Sequence, residues 1–384
     1  MKIGIFISSH FWSSIPYDGL NLFKHLSNKF DVDLLALKDD IRLNKKFNGN
    51  EKFFFDKDKF TCEPNLRVLN NWNDFYVASS DYSIILTNSK ITNKVVLGSI
   101  LSDLKTKVKC PIGVWDIGGS DILVDSIKFA NCYFTKGSIW TTWMRKMLNS
   151  NQGIFTTGSP HYDYYLHSDR ICHKFDLSKE DFFKKYNAPK DSSLILVAPS
   201  NPSSHTQQYD ENLPKLEKLC NFAEKSSDKI KILVKTYPHD YVFYENAGTH
   251  SGIYHRKRYS IPQYQVLKEN FPNIEIVESQ DHFSAMKHCE KLFNISGSHL
   301  AWESVLTDIV SFTSNYSNKP YYQTVRYLPD YVKYPDEIVN TEIQNVSEMF
   351  SDKAFKKHSL EDFISRDLSF DNIEKTLISL GLKK

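Results

Sequence analysis

Short apolar segments alternate with amphipathic segments along this chain, and the alternation runs through twice. In the first half, runs that are apolar on both faces predict buried strands, and their spacing leaves room for a helix between them. The predicted strands cover residues 3–7, 32–37, 83–87, 111–115, 129–135 and 154–157, and the predicted helices cover 17–30 and 95–104. Strands and helices that alternate in this way form a parallel, doubly wound sheet.

The second half of the chain restarts the pattern. A helix over residues 178–186, with Ser178 as its N-cap, precedes a strongly apolar strand at 194–198. Further strands are predicted at 230–235, 274–277, 291–295 and 309–312, with helices over 212–225 and 360–382. The predicted fold class is therefore α/β, with two Rossmann-like doubly wound domains that face a cleft.

The length of 384 residues exceeds one ordinary hydrophobic core, which also favours two domains. We assign residues 1–165 to the N-terminal domain, 166–360 to the C-terminal domain and 361–384 to a final helix. The turn-forming segment Gly158-Ser-Pro160 lies between the two sets of strands, and we interpret it first as a hinge.

The composition excludes several classes of protein. A net charge of +2 gives no reason to expect a nucleic-acid partner, and no GxGxxG follows the first strand, which disfavours a nicotinamide enzyme. The six cysteines are scattered without metal-binding spacing, so we predict no metal site and a reducing compartment.

No apolar run approaches the ~18 residues of a membrane span, and the first strand is too short for a signal peptide. We predict a cytoplasmic protein. The basic stretch at 253–259 could contact anionic lipid, with a solvated loop as the alternative.

The most specific motif follows the predicted strand at 291–295. Ser296, Gly297 and Ser298 are small residues at the start of a predicted helix that carries Glu303. The first amides of a helix have no partner within it, and the helix dipole favours negative charge there. The motif predicts a phosphate-bearing ligand, although a plain helix cap would use the same residues.

Two other segments of the second half follow predicted strand ends. Ser200 and Asn201 come after the strand at 194–198, where they could hold a phosphate or a sugar or form a plain turn. Lys235 ends the strand at 230–235, and His239 follows it closely. A lysine is a compact cation suited to phosphate, and ligands of doubly wound sheets bind at the carboxyl ends of the strands.

Two carboxylates follow the predicted strand at 111–115 in the first half. Asp116 and Asp121 flank a Gly-Gly pair, so one could accept a proton from a hydroxyl while the other orients it. His10, just after the first strand, could line the same side. A helix cap, a turn and a structural histidine are the respective alternatives.

These segments resemble GT-B glycosyltransferases, in which a Ser/Gly loop meets the phosphates of a nucleotide sugar and a helix glutamate meets sugar hydroxyls. The segment at 234–239 is similar to the Lys-x-His-Pro segment of the sialyl-, Kdo- and glycerophosphate-transferase groups, with Tyr237 in place of the histidine. Trp115-Asp116 stands where teichoic-acid-type transferases have Trp-His, so the resemblance makes Asp116 the base. It also implies an acceptor-binding N-terminal domain, a donor-binding C-terminal domain and a last helix that crosses back.

The resemblance implies an inverting, metal-independent glycosyltransferase of surface polysaccharide biosynthesis, acting in the cytoplasm or at the inner face of the membrane. It would move a sugar from a nucleotide-sugar donor to a glycan or lipid-linked glycan acceptor, and it would need no cofactor because the nucleotide sugar is a substrate. A UDP-sugar 2-epimerase shares the fold and the Ser-Gly helix start, but this chain lacks the Gly-Thr-Arg-Pro-Glu loop after its first strand. A non-catalytic binding protein of the same fold is the third alternative.

Overall fold

The computed structural model divides the chain into two compact units, Met1–Ile171 with Leu360–Lys384, and Cys172–Ser359. Each unit is built around one parallel sheet. The structure describes residues 1–7, 15–38, 64–88, 98–115, 129–149, 153–168, 170–171, 176–199, 212–226, 229–235, 260–278, 281–295, 300–314, 341–351 and 364–382.

The N-terminal unit has a seven-stranded sheet in the order β3-β2-β1-β4-β5-β6-β7. All of its neighbouring strands run parallel, and the side chains of β1 and β4 are buried almost without exception, which explains their uninterrupted apolar runs. The strands are β1 (Lys2–Ile7), β2 (Asp31–Leu37), β3 (Leu66–Leu69), β4 (Ile84–Asn88), β5 (Ile112–Trp115), β6 (Cys132–Thr135) and β7 (Ile154–Thr156).

Helices follow the strands of this unit and cover the sheet. Asn71 caps the second helix by accepting a hydrogen bond from the Asp74 amide, and Asn149 ends the fourth helix in the left-handed conformation at φ 48°. The helices are α1 (Ile15–Ser27), α2 (Trp72–Ala78), α3 (Gly98–Lys107), α4 (Ser138–Leu148) and α5 (Pro160–Leu166).

The C-terminal unit has a six-stranded parallel sheet in the order β10-β9-β8-β11-β12-β13. Its strands are β8 (Ser193–Ala198), β9 (Ile230–Lys235), β10 (Ile274–Val277), β11 (Lys291–Asn294), β12 (Val310–Ser314) and β13 (Thr341–Ile343). Its helices are α6 (Lys179–Lys185), α7 (Asn212–Lys225), α8 (Ser260–Asn270), α9 (His282–His288) and α10 (Leu300–Ser304), followed by a 3₁₀ helix at Val346–Phe350.

Both sheets reverse their strand order beside their first strand. β1 lies between β2 and β4, and β8 lies between β9 and β11, so each unit has a topological switch point next to its first strand. This is the strand order of doubly wound nucleotide-binding sheets, in which ligands bind outside the carboxyl ends of the strands at the switch point. The predicted α/β architecture with two Rossmann-like sheets is confirmed.

The last helix, α11 (Ser369–Ser379), packs on the N-terminal unit. The Asp163 carboxylate on α5 accepts hydrogen bonds from the Ser369 amide at 3.1 Å and from its hydroxyl at 2.6 Å. Glu374 pairs with His25 in the last turn of α1 at 2.9 Å and with Lys29 just beyond that helix. The buried Asp163 carboxylate, which contacts the start of α11, and the ion pair of Glu374 further along α11 fix this helix to the unit.

Two sequence predictions about the joints of the chain are wrong in detail. The last helix begins at Ser369 and not near residue 361, because residues 364–368 run non-helically and lead into Leu368 as an extended N-cap. The predicted hinge Gly158-Ser-Pro160 lies inside the N-terminal unit, where Gly158 packs against Asp367 and Ser369 and Pro160 opens α5. The boundary between the units falls between Ile171 and Cys172.

Candidate functional site

The carboxyl edge of the C-terminal sheet brings several predicted site segments together. At the switch point Asn294, the last residue of β11, pairs with Ala198, the last residue of β8. Ser296, Gly297 and Ser298 follow the first of these strands, and Ser200 and Asn201 follow the second. All five lie outside the described residues, but the strands from which they continue are hydrogen-bonded neighbours. The two predicted phosphate segments therefore start side by side.

Lys235 ends β9, the neighbour of β8 on the other side. Val197 pairs with Val234, so Lys235 lies level with the end of β8 at the same edge. Neighbouring strands are about 4.8 Å apart, which puts β9 and β11 about 10 Å apart, within reach of one lysine side chain and one diphosphate. Lys235 is 8% exposed. Lysines are rarely buried this far, and those that are tend to be paired or to serve a site. His239, predicted as its partner, lies outside the described residues.

Glu303 lies on α10, the short helix that connects β11 to β12 and packs against both strands. The glutamate is 6% exposed, and the adjoining Ser304 is also buried. An ionised carboxylate is costly to bury without polar partners, so this position is a demanding one for a glutamate. Glu303 and Lys235 are the two predicted donor-site residues that the structure describes, and regular elements hold both of them in place.

The carboxyl edge of the N-terminal sheet holds the predicted catalytic segments. Phe6 pairs with Thr87, and Asn88 pairs with Trp115, so the ends of β1, β4 and β5 are level with one another. His10 follows β1, and Asp116 and Asp121 follow β5. All three lie outside the described residues. Their segments start from strands that a single strand separates, at the edge where doubly wound sheets bind ligands.

Sequence reasoning missed a polar cluster next to this edge. Lys136, directly after β6, is fully buried, and its ammonium lies 4.1 Å from the centroid of the Trp140 ring on α4. A desolvated cation–π contact of this kind stabilises a buried lysine by about 2 kcal/mol. Its carbonyl accepts a hydrogen bond from the Ser365 amide at 2.7 Å, which links the end of β6 to the C-terminal segment. A polar residue immediately after an apolar strand is the signal that could have found it.

Three buried donors at the same edge have no hydrogen-bond partner within the described part of the chain. They are the Trp115 and Trp140 indole Nε1 groups and the Thr87 hydroxyl. In contrast, the hydroxyls of Thr135, Thr141 and Thr156 form a continuous chain that ties β6, α4 and β7 together. Buried polar groups in native proteins nearly always find a partner, so the ends of β4 and β5 keep unused hydrogen-bonding capacity.

A second buried cluster joins α1, α5 and the last helix. Asp18 is fully buried, and its carboxylate lies 3.6 Å from the His161 ring. Burial raises the pKa of Asp163 to about 7, an effect that the hydrogen bonds from Ser369 oppose and the nearby Asp18 charge adds to. Asp163 holds the C-terminal helix through Ser369, and its bonds account for its burial without a ligand.

Thiol chemistry is disfavoured for the cysteines that the structure describes. Burial raises the pKa of Cys110 to about 11 and the pKa of Cys132 and Cys220 to about 12, and burial also raises the pKa of Cys289. A thiol with a raised pKa is a poor nucleophile at neutral pH. Within the described ranges, no group of three or more His, Cys, Asp or Glu side chains is arranged to hold a metal ion. The described helices are each too short or too polar to span a bilayer.

Comparison with known proteins adds information about the fold only. No protein-family profile matches the chain, and no curated protein matches it by sequence. Among solved structures, UDP-GlcNAc 2-epimerase from Methanocaldococcus jannaschii superposes with a TM-score of 0.60 at 14% identity, covering 99% of this chain and 100% of that one.

Two further structures agree with this similarity. The UDP-GlcNAc 2-epimerase from Neisseria meningitidis, bound to UDP-GlcNAc, superposes with a TM-score of 0.56 at 10% identity, covering 99% of both chains. The wall teichoic acid polymerase TagF superposes with a TM-score of 0.58 at 13% identity, covering 98% of this chain and 88% of that one. The structural similarity extends over the whole chain. Because the sequence identity is so low, it establishes the fold alone, which is the GT-B fold.

Proposed function

We propose that this chain is a nucleotide-sugar enzyme whose C-terminal unit binds the donor. The observation that carries the proposal is the convergence of predicted phosphate ligands on one switch point. The segments after β8 and β11 start from paired residues, and a buried lysine ends the adjoining strand. Two further facts support the proposal: an epimerase of this fold binds UDP-GlcNAc, and ligands of doubly wound sheets bind at this position.

The donor would be held by charge and by amide groups. Lys235 would neutralise the diphosphate as a point charge, and the segment around Ser296, Gly297 and Ser298 would supply backbone and hydroxyl donors. Ser200 and Asn201 would contact the phosphate or the transferred sugar from the neighbouring strand. Glu303 would accept hydrogen bonds from sugar or ribose hydroxyls, and His239 would assist at the phosphate.

We further propose that the reaction is glycosyl transfer with inversion. The acceptor hydroxyl oxygen attacks the anomeric carbon, and the bond from that carbon to the diphosphate oxygen breaks. Asp116 takes the hydroxyl proton, and the charge that develops on the leaving diphosphate is stabilised by Lys235 and the amides without a metal ion. Asp121 would orient the base, and His10 would line the acceptor side. Asp116 directly follows β5 in the sequence, and the last residue of β5 pairs with the last residue of β4, which supports this assignment.

The acceptor would be a glycan or a lipid-linked glycan, in surface polysaccharide assembly in the cytoplasm or at the inner face of the membrane. The fold similarity to TagF, a wall teichoic acid polymerase, supports this choice of acceptor class. A membrane contact by the protein itself would be peripheral.

A 2-epimerase is the second candidate, because two of the superposed structures are UDP-GlcNAc 2-epimerases that cover almost the whole chain. An epimerase inverts one carbon of the sugar and keeps the sugar on its nucleotide. The segment after β1 reads Ser8-Ser9-His10 and lacks the Gly-Thr-Arg-Pro-Glu loop that those enzymes carry, which favours transfer.

One assay separates the alternatives. The protein is incubated with a panel of UDP-, CMP- and other nucleotide sugars, with and without a glycan or lipid-linked glycan fraction, and the products are identified by mass and by sugar analysis. Free nucleotide together with a heavier acceptor supports transfer, and ring configuration in the product reports inversion. An isomerised sugar still joined to its nucleotide supports the epimerase. If no nucleotide sugar changes and none raises the melting temperature, the protein is not a nucleotide-sugar enzyme.

A further inference from the structure

A groove of about 650 Å³ lies in the C-terminal unit between α7 and the segment that follows β13. Phe293 of β11 forms its floor, and Gln344 and Asn345 line the wall opposite the helix. The helix wall is made of Lys215, Lys218, Asn221, Phe222 and Lys225. The nucleotide site proposed above uses none of these residues.

The helix wall carries a stripe of positive charge. Residues of a helix are 100° apart, so Lys215, Lys218 and Lys225 fall within about 80° of one another and extend over about 15 Å of the helix. The acidic residues of the same helix, Glu217 and Glu224, fall together on a different face. Across the described part of the chain, neither Lys218 nor Lys225 has a carboxylate within ion-pair distance. Lys218 and Lys225, which no carboxylate of the described residues neutralises, therefore give the concave wall a positive charge that attracts an anion.

The rest of the lining is suited to a sugar chain. The ring of Phe222 is partly exposed and stacks on Phe350 at 4.9 Å between centroids, which fixes a flat apolar surface beside the lysines. The Lys291 ammonium lies 5.2 Å from the Phe350 centroid on the same stack. Aromatic faces and amide side chains are the groups that contact sugar rings and hydroxyls, whereas a simple anion needs only charge.

The opposite wall is rigid. Glu348 accepts hydrogen bonds from the Gln344 and Asn345 amides at 3.1 Å and from the Asn345 side chain at 3.0 Å, so its charge is satisfied within the wall. The capping box that these bonds form fixes the 3₁₀ helix beside α7. The side-chain amide of Gln344 is exposed at the groove and is not used by the capping box.

We propose that this groove binds an acidic oligosaccharide, a sugar chain that carries phosphate or carboxylate groups along its length. Its anionic groups would contact the lysine stripe, its sugar faces would lie on Phe222, and its hydroxyls would reach Asn221 and Gln344. A narrow concave stripe fits one extended chain, whereas a membrane surface is broad and needs a convex or flat partner. The groove does not depend on the donor site, because its lining includes none of the residues assigned to that site.

The test is an affinity measurement on the full chain with fluorescent probes. The probes are an oligogalacturonate, an oligo(glycerol phosphate), a neutral malto-oligosaccharide of equal length, inorganic tripolyphosphate and vesicles that contain phosphatidylglycerol. The wild-type protein should bind at least one of the two acidic oligomers, and should bind the neutral oligomer and the vesicles far more weakly. The K218Q/K225Q double variant should bind the acidic oligomer about tenfold more weakly. The K184Q/K190Q variant, which removes two exposed lysines elsewhere in the unit, should match the wild type.

A second variant distinguishes a sugar site from simple attraction of anions. Gln344→Ala should weaken binding of the acidic oligomer severalfold and leave tripolyphosphate binding unchanged. Equal affinity in wild type and K218Q/K225Q would overturn the proposal, as would binding of vesicles without binding of either oligomer. Nucleotide sugars should raise the melting temperature of both lysine variants as much as that of the wild type. If nucleotide sugars do not raise the melting temperature of the wild type, that result counts against the donor site and not against this groove.

Discussion

The two sheets share one strand order and differ in what holds their carboxyl edges. In the C-terminal unit, two predicted site residues lie on regular elements: Lys235 ends a strand, and Glu303 lies on a helix that packs against two strands. In the N-terminal unit, the predicted catalytic residues all come after strand ends, and the described edge is aromatic and carries Lys136 over Trp140. The same topology therefore supports a charged edge in one unit and an aromatic edge in the other.

This difference fits a division of labour between the units. A diphosphate is common to all nucleotide sugars, so its ligands can be held rigidly by strands and helices. An acceptor varies, and residues beyond strand ends can change without disturbing a sheet. The unused donors at Thr87, Trp115 and Trp140 fit the second role, because they leave the N-terminal edge able to take polar partners.

The largest expected effect tests the chemistry assigned to the N-terminal edge. Asp116→Asn keeps the size of the side chain but cannot take the acceptor's proton, so turnover should fall by about 10²–10⁴. Donor affinity should stay nearly the same, because the change removes a transition-state role. Nucleotide release with an acceptor fraction measures the first quantity, and calorimetry measures the second.

Two further variants, Asp121→Asn and Asp103→Asn, show whether the loss of turnover is specific to Asp116. Asp121 is assigned an orienting role, so its variant should lose less turnover than Asp116→Asn. Asp103 lies on α3 in an exposed pair with Lys107, and its variant should behave as the wild type. Near-normal turnover in Asp116→Asn would remove the proposed base, and a larger loss in Asp121→Asn would exchange the two roles.

The next effect concerns the charged edge of the C-terminal unit. Glu303→Gln should weaken donor binding by about 1.5–3 kcal/mol, the usual cost of losing a hydrogen bond to a charged group. Glu290→Gln, just before β11 and 57% exposed as a side chain, is the matched control and should leave affinity unchanged. Equal affinities in both variants, measured by titration calorimetry, would show that Glu303 does not contact the donor.

The last prediction concerns stability alone, namely how the C-terminal helix is held on the N-terminal unit, and it carries the smallest expected effect on turnover. Because the pKa of Asp163 is raised from 3.8 to about 7, the folded unit retains a proton that the unfolded chain releases. The resulting stability is fully present below pH 3.8 and is lost as the pH rises to about 7. The N-terminal unit should therefore unfold at a lower urea concentration at pH 8 than at pH 5.

Asp163→Asn should flatten this pH dependence, because the amide stays neutral and can still accept from Ser369. Asp371→Asn, on α11 in a partly exposed pair with Arg170, should keep the wild-type slope. Tryptophan fluorescence reports mainly on this unit, since Trp12, Trp72, Trp115, Trp140 and Trp143 belong to it and only Trp302 belongs to the other. An unchanged slope in Asp163→Asn would assign the titration to another group, with His161 and Asp18 as the neighbours to test.

The central strands could be predicted because both of their faces are buried. β9 and β10 match the predicted ranges, and so does α7, whose apolar residues repeat at helical spacing. The strands β3 and β13 were missed. They have four and three residues, lie at sheet edges and are too short to show a period. The helix α4 was missed because Trp and Thr, which favour strands, occupy its first turns.

The site could be predicted only where a strand end marks it. Lys235 was found because it ends an apolar run, and Glu303 because a small-residue segment precedes it. The position of Lys136 directly after β6 could have marked it, but its contact with Trp140 depends on which helix covers that strand. The bonds between Asp163 and Ser369 join residues 206 positions apart, and only the packed fold brings them together. A single sequence does not show that two residues so far apart in the chain are in contact when neither lies in a recognisable local motif.

The central claim is that the charged edge of the C-terminal unit binds the diphosphate of a nucleotide sugar. Titration calorimetry of UDP- and CMP-sugars with the wild type, Lys235→Gln and Lys231→Gln tests it most directly. Lys231 is the matched control, because it is a buried lysine on the same strand that lies near the amino end and pairs with Glu275 at 3.8 Å. We predict that the wild type and Lys231→Gln bind one of these donors and that Lys235→Gln binds it at least about tenfold more weakly. Equal affinity in Lys235→Gln, with the fold intact by circular dichroism, would contradict it.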